Sequence, residues 1–278
     1  MSTIFKSPAG EKAVMDLYDS LLAHWPVPYQ GLHLPTRHGE TFVIASGDEA
    51  RPPLILIHGA GSNSTVWAGD ADYLTNFRTY AVDLLGEAGK SAPNRPDWNS
   101  PAYAEWLEDV LDGLKIEKTA LLGMSQGGWT ALKFATYKPE RVAKLVLLCP
   151  GGVVPDRKSF VFRAIFLALL GKSGMRRLVQ QLYGDQPIPD GVTDVISVIL
   201  RNFKSRIGTV PVFSDDELRR LTMPTLLIGG TKDIVRDHAQ IAARLQSLLP
   251  TVQVVTVPGA GHVLSGTPAH VVPFLTAN

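Results

Sequence analysis

Hydrophobic and polar positions along this chain fall into blocks whose period switches between the short, unbroken runs of strands and the 3.6-residue spacing of helices. Between Glu11 and Trp25 the apolar residues Val14, Leu17, Tyr18, Leu21, Leu22 and Trp25 recur at helical spacing, and Pro26 and Pro28 end the run. That pattern predicts an amphipathic N-terminal helix packed on the main body. Leu32 to Thr36 and Thr41 to Ser46 are extended runs joined around His38-Gly39-Glu40, the pattern of an antiparallel hairpin. Leu54 to Ile57 is unbroken and apolar, as expected of a strand buried on both faces. Alternation follows, with a helix over 65–77, a strand over 79–82 and a helix from Pro101 to Leu114 for which Ser100 is the N-cap. A strand over 120–122, a helix over 127–137 and a strand over 145–148 continue it.

The alternation breaks between Gly151 and Leu221, where helical patterns follow one another with no convincing strand. Val192, Val195, Ile196, Ile199, Leu200 and Phe203 form one apolar stripe, and Met175, Leu178, Leu182 and Tyr183 another. Helices inserted between sheet strands cannot join the sheet and must lie over it. We therefore expect a helical cap in which Phe160, Phe162, Phe166 and the two stripes pack mostly on one another, with about a quarter of them lining a pocket and no signal in the sequence as to which. Strand, helix, strand and a short final helix resume at Pro224–Ile228, Ala239–Leu249, Val252–Val257 and Pro268–Leu275. The expected class is α/β, a mostly parallel, doubly wound sheet whose crevice lies at the carboxyl ends of its strands. Residues 1–152 and 214–278 form its core, with the N-terminal helix at 11–25, and residues 153–213 the inserted cap.

Composition narrows the partners. At 278 residues and 45% apolar content the chain can bury one large core. Its 27 basic and 26 acidic side chains leave a formal charge of +1 with no long run of either sign, so nothing in the overall charge points to nucleic acid or an anionic membrane. The longest apolar stretch, Phe160 to Leu170, is interrupted by Arg163 and too short to span a bilayer, so no membrane insertion is expected. The N-terminus lacks an apolar core followed by a small-residue cleavage site, which makes a cytoplasmic protein the expectation. Cys149 is the only cysteine; it precludes an internal disulfide and a cysteine-rich metal site, and reads as a small buried hydrophobe.

Chemistry concentrates in Lys118 to Lys133, where an apolar strand runs into Gly123-Met124-Ser125-Gln126-Gly127 and leaves as a helix. A serine on so sharp a turn is held in a strained backbone conformation with its hydroxyl raised above the sheet, and the flanking Gly123 and Gly127 avoid a clash as strand and helix close up. Asp233 and His262 each fall just past a later strand, in the order serine, acid, histidine. A serine hydroxyl is a poor nucleophile until a neutral imidazole accepts its proton, and a carboxylate fixes the tautomer of that imidazole. Asp156, and Asp237, whose position a few residues on places it in the following helix, are alternative acids, whereas His238 and His270 read as surface or helix-end histidines. An oxyanion hole needs two backbone N–H groups. Gln126 supplies one, and the second should come from His58-Gly59-Ala60-Gly61-Ser62-Asn63 after the strand over 54–57.

From about residue 31 onward these motifs resemble the α/β-hydrolase superfamily, and within it bacterial carboxylesterases of the carboxylesterase NP type. The resemblance implies an eight-stranded sheet, a cap after the sixth strand, Ala60 as the second oxyanion donor, and His58 and Gly59 as residues that organise their loop. It also implies a serine esterase acting on a small-molecule carboxylic ester, with no metal or organic cofactor, whereas the sequence does not distinguish a monomer from a homodimer. The stretch Asp83-Leu84-Leu85-Gly86-Glu87-Ala88-Gly89-Lys90-Ser91 departs from the Asp-x-x-Gly-x-Gly-x-Ser form of capped relatives. A perhydrolase, a carbon-carbon bond hydrolase or a small-ligand receptor could use the same residues. Gly59-Ala60-Gly61 before a helix resembles a dinucleotide fingerprint but lacks its third glycine, and Gly89-Lys90-Ser91 ends like a P-loop but has Leu84 where that motif needs glycine.

Overall fold

The computed structural model describes residues 4–277. The first three residues of the stretch read for an export signal lie outside them. Eight strands form one sheet in the order β1-β2-β4-β3-β5-β6-β7-β8. β1 (Tyr29–Leu34) and β2 (Thr41–Ser46) form the expected hairpin at one edge, and β2 runs antiparallel to β4 (Arg78–Val82). All later pairings are parallel, among β3 (Pro53–Ile57), β4, β5 (Thr119–Met124), β6 (Val142–Leu148), β7 (Thr225–Gly230) and β8 (Gln253–Val257).

Alternating side chains divide the core between the two faces of this sheet. Leu54 and Leu56 of β3 join Leu122, Val146, Leu226 and Ile228 on one face, under Tyr18 and Leu22 of α1 (Pro8–Leu22) and Phe274 of the C-terminal helix. Ile55 and Ile57 point the other way, into a layer built from Trp106 and Val110 of α3 (Ala102–Gly113) and Leu132 and Phe134 of α4 (Gln126–Tyr137). Burial on both faces explains why the central strands read as unbroken apolar runs.

The N-terminal helix bridges two parts of the molecule and so does more than pack on the main body. Ser7 caps it, accepting from Gly10 N–H at 3.0 Å. Its Val14 joins Ile4, Phe5, Ile199 and Phe203 in a cluster with α7 (Val192–Asn202), while Tyr18 and Leu22 reach the sheet. Three local expectations need correction. The helix expected over 65–77 is broken into a 3₁₀ turn, Ser64–Gly69, and α2 (Ala71–Asn76), because Asp70 sits between them at a non-helical φ −109°, ψ 57°. α3 starts at Ala102 with Pro101 at the cap position, so Ser100 lies one residue outside it, although its hydroxyl still accepts from Ala102 N–H at 3.3 Å. Within α5 (Lys158–Leu169), Phe162 and Phe166 face solvent at 74% and 62% exposure instead of packing within the cap, because the helix turns Leu167 inward.

Strand register aligns the carboxyl ends. Ile57 pairs with Gly123, Met124 with Leu148, Leu148 with Ile228, and Gly230 with Val257. The loops after β3, β5, β6, β7 and β8 therefore leave the sheet along one rim.

Candidate active site

Ser125 occupies the turn between β5 and α4 at φ 54°, ψ −111°, a region that side chains other than glycine rarely enter. Three backbone bonds hold it there. Its N–H donates to Leu148 O at 2.9 Å, and its carbonyl accepts from Trp129 N–H at 3.0 Å and Gly151 N–H at 2.9 Å. The glycines of the motif are sterically required: a Cβ on Gly123 would lie 2.4 Å from Gly127 O, and one on Gly127 2.1 Å from Ile57 O. Gly59 approaches from the β3 loop, where a Cβ would stand 3.4 Å from that of Ser125.

The three residues picked out along the chain meet at this rim. Ser125 Oγ lies 2.9 Å from His262 Nε2, and His262 Nδ1 lies 2.9 Å from Asp233 Oδ2. Asp233 is almost wholly buried, and its Oδ1 accepts from the N–H groups of Val235 at 2.7 Å and Arg236 at 3.0 Å. Burial by itself would raise its pKa; the bond to His262 and the two backbone donors outweigh that and hold it below the usual carboxylate range. Neither rival acid reaches His262. Asp156 Oδ1 accepts from Arg236 Nε at 2.6 Å, and Asp237, expected inside the next helix, is instead the N-cap of α9 (His238–Leu248), paired with Arg157 at 2.9 Å.

His238 departs from expectation. It stands at the end of a helix as anticipated but is buried, with Nε2 3.0 Å from Thr256 Oγ1 and its ring packed on Gly229 of β7. Burial lowers its pKa. Cys149 is buried as expected, beside Asp233 and His262, and its potential ligand atom lies within 4.8 Å of theirs. Burial, with the Asp233 charge adding to it, also pushes the Cys149 pKa up and keeps the thiol protonated.

The β3 loop is fixed by residues behind it. His58 Nε2 accepts from Leu84 N–H at 3.0 Å, which puts the ring proton on Nδ1, facing Gly59 O at 2.8 Å. Burial lowers the pKa of His58, so this imidazole is neutral and already engaged on both nitrogens. Gly61 N–H donates to Glu87 Oε2 at 2.7 Å, and the Gln126 side chain reaches Glu87 Oε1 at 3.3 Å. Glu87 thus ties together the two segments that flank Ser125. Burial pushes its pKa up to about 7, against the pull of Gly61 N–H and of Arg95. The backbone N–H groups of Ala60 and Gln126 are not engaged by any acceptor among the described residues.

Arg236 and Glu87 were missed in the sequence. Arg236 is 5% exposed, and its Nη1 donates to Ser125 Oγ and to Cys149 O, each at 3.2 Å. A cation three residues past Asp233 in a short loop reads as a solvated surface charge, since periodicity carries no signal there. Glu87 did leave a trace, because it lies inside the stretch that departs from the capped-relative pattern.

Residues 54–272 match the model of the alpha/beta hydrolase family. An uncharacterized carboxylesterase of Bacillus subtilis, nap, is 34% identical over 264 residues, covering 89% of this chain and 85% of its own length. The carboxylesterase YbfK of the same organism is 32% identical over 259 residues, covering 89% and 86%. The crystal structure of the naproxen esterase (carboxylesterase NP) from Bacillus subtilis superposes with a TM-score of 0.86 at 32% identity, over 97% of this chain and 98% of that one. With the sheet order, the serine turn and the aligned rim already in place, the chain belongs to the alpha/beta hydrolase family.

Proposed function

We propose that this protein is a serine carboxylesterase that hydrolyses a carboxylic ester with an apolar moiety through an acyl-enzyme formed on Ser125. The observation that carries the reading is the continuous line of hydrogen bonds from Ser125 Oγ through His262 to Asp233, 2.9 Å at each link, on the rim where the parallel strands end. Relatives described as carboxylesterases, alike over most of their length, support an ester as the substrate.

The polarity of the hydrogen bonds supports the direction of proton flow. An arginine can only donate, so the Arg236 contact obliges the Ser125 hydroxyl to accept from it and to send its own proton toward His262. Asp233 holds Nδ1–H and leaves Nε2 as the acceptor. As Oγ attacks the ester carbonyl, its proton passes to Nε2. The carbonyl oxygen becomes an oxyanion, stabilised by the backbone N–H groups of Ala60 and Gln126, each contributing about 3 kcal/mol. His262 then returns the proton to the departing alcohol. A water activated by the same imidazole attacks the acyl carbon, releasing the acid and the Ser125 hydroxyl.

Residues 153–213 act as the cap over this rim. The end of α6 (Gly171–Tyr183) bonds directly to the histidine loop, where Gly261 N–H donates to Tyr183 O at 3.1 Å and Val263 N–H to Leu182 O at 2.9 Å. The test is turnover of p-nitrophenyl esters of graded chain length by the protein and by Ser125→Ala. The variant should lose about 10⁴- to 10⁶-fold in kcat while keeping its fold. Near-normal activity in Ser125→Ala would remove the nucleophile, and stoichiometric ligand binding without turnover would favour a receptor built on the same scaffold.

A further inference from the structure

α5 and α6 form a hairpin whose two roots are tied to the loops bearing Asp233 and His262. At the first root Arg157 N–H donates to Val235 O at 2.8 Å, and the Arg157 guanidinium pairs with Asp237. At the second, the bonds from Gly261 and Val263 are joined by Gln186 Nε2, which donates to Val263 O at 2.7 Å. The two helices touch closely beside their turn, where a Cβ on Gly174 would lie 1.9 Å from Leu167 O.

The outward face of this hairpin is apolar. Leu167 turns inward at 4% exposure, whereas Phe162 at 74%, Phe166 at 62% and Leu169 at 80% recur at i, i+4 and i+7 on the opposite side of α5, and Leu170 extends the patch. The cations Lys158 and Arg163 on α5 and Lys172, Arg176 and Arg177 on α6 are all exposed. None of the five meets a carboxylate among the described residues. Residues 157–184 hold six lysines and arginines and no aspartate or glutamate, an imbalance that the near-neutral total conceals.

We propose that this hairpin docks on an anionic phospholipid surface, with Phe162, Phe166, Leu169 and Leu170 at the boundary of headgroups and acyl chains and the cations on lipid phosphates. A second copy of the chain is disfavoured, because an isologous contact would set the same positive charges against each other. The exposed apolar side chains and the cations that meet no carboxylate lie together on one hairpin, the combination a headgroup layer over acyl chains would take, and no described helix is long and apolar enough to cross a membrane, which leaves an interfacial position. If the esterase reading holds, on which this consequence rests, esters dissolved in the lipid would be delivered beside the two loops that carry Asp233 and His262.

Co-sedimentation with vesicles tests the docking without turnover, so its failure and that of the esterase reading are separable. Vesicles containing about one quarter phosphatidylglycerol should retain the protein, pure phosphatidylcholine vesicles should not, and retention should fall steeply between about 0.05 and 0.5 M salt. Phe162→Ser/Phe166→Ser/Leu169→Ser and, separately, Lys172→Gln/Arg176→Gln/Arg177→Gln should each weaken retention by about tenfold or more. Turnover of water-soluble p-nitrophenyl acetate should stay within about twofold in both, which establishes that they fold. No retention on anionic vesicles overturns the proposal, as does undiminished retention of both variants. A concentration-dependent dimer in sedimentation velocity that the serine variant abolishes also overturns it, by assigning the face to a contact between copies.

Discussion

Replacing Arg236 with methionine isolates a contact that the proposed chemistry uses and the sequence hid. The substitution keeps the aliphatic volume and removes three contacts: the Nη1 bonds to Ser125 Oγ and to Cys149 O, each at 3.2 Å, and the Nε partner of Asp156 at 2.6 Å. A hydrogen bond from a charged donor contributes about 1.5 to 3 kcal/mol. A separation of 3.2 Å is at the long end of the N–H···O range, so the lower half applies. The contact strengthens as Oγ gains charge on losing its proton, so the loss should fall on kcat, by about 13- to 45-fold, with KM little changed. Stability should fall as well, because Asp156, with 17% side-chain exposure, is left a carboxylate without its partner. The full cost of orphaning a buried charge is about 3 to 5 kcal/mol, and partial solvation reduces it to about 1 to 3. Arg236→Met/Asp156→Asn removes the orphaned charge. It should recover most of the melting temperature and none of the rate. Kinetics on p-nitrophenyl acetate together with thermal denaturation read both quantities. If kcat of Arg236→Met stays within about twofold of the parent, or if the double variant regains the rate along with the stability, the hydrogen bond to Oγ has no part in turnover.

Two further outcomes follow from the buried carboxylates. Asp233→Asn should lower kcat by about 10⁴-fold by disturbing the His262 tautomer, and Asp156→Asn far less; comparing their kcat values checks the choice of acid, and greater damage at Asp156 would reverse it. Glu87 has its pKa raised by burial from 4.5 to about 7, so its contribution to stability is complete below pH 4.5 and is lost as pH rises through about 7. Glu87→Gln cannot ionise. Its stability relative to the parent should therefore improve by about 3 kcal/mol at most between pH 4.5 and pH 8, measured by denaturant melts across that range, and a constant difference would contradict the buried charge.

The rhythm of apolar runs was enough to reveal the alternating elements, the doubly wound class and the inserted helices, because a strand buried on both faces and an amphipathic helix leave different periods in the chain. Ser125, Asp233 and His262 were legible for a related reason: each follows the end of a strand, and parallel strands in register carry those ends to one rim. The glycines of the serine turn were legible as well, since only a residue without a Cβ fits 2.1 to 2.4 Å from a neighbouring carbonyl.

What pairs with what across the fold could not be read this way. Asp156 and Asp233 are both acids just past a strand, and only the packing sends one to Arg236 and the other to His262. His238 has the local sequence of a surface histidine, yet it is buried against Gly229. Phe162 and Phe166 have the composition of core residues, yet the rotation of α5 that buries Leu167 turns them outward. Local sequence determines the period and direction of an element. The identity of its neighbours, and with it the fate of each polar or charged side chain, depends on long-range contacts that only the assembled tertiary structure decides.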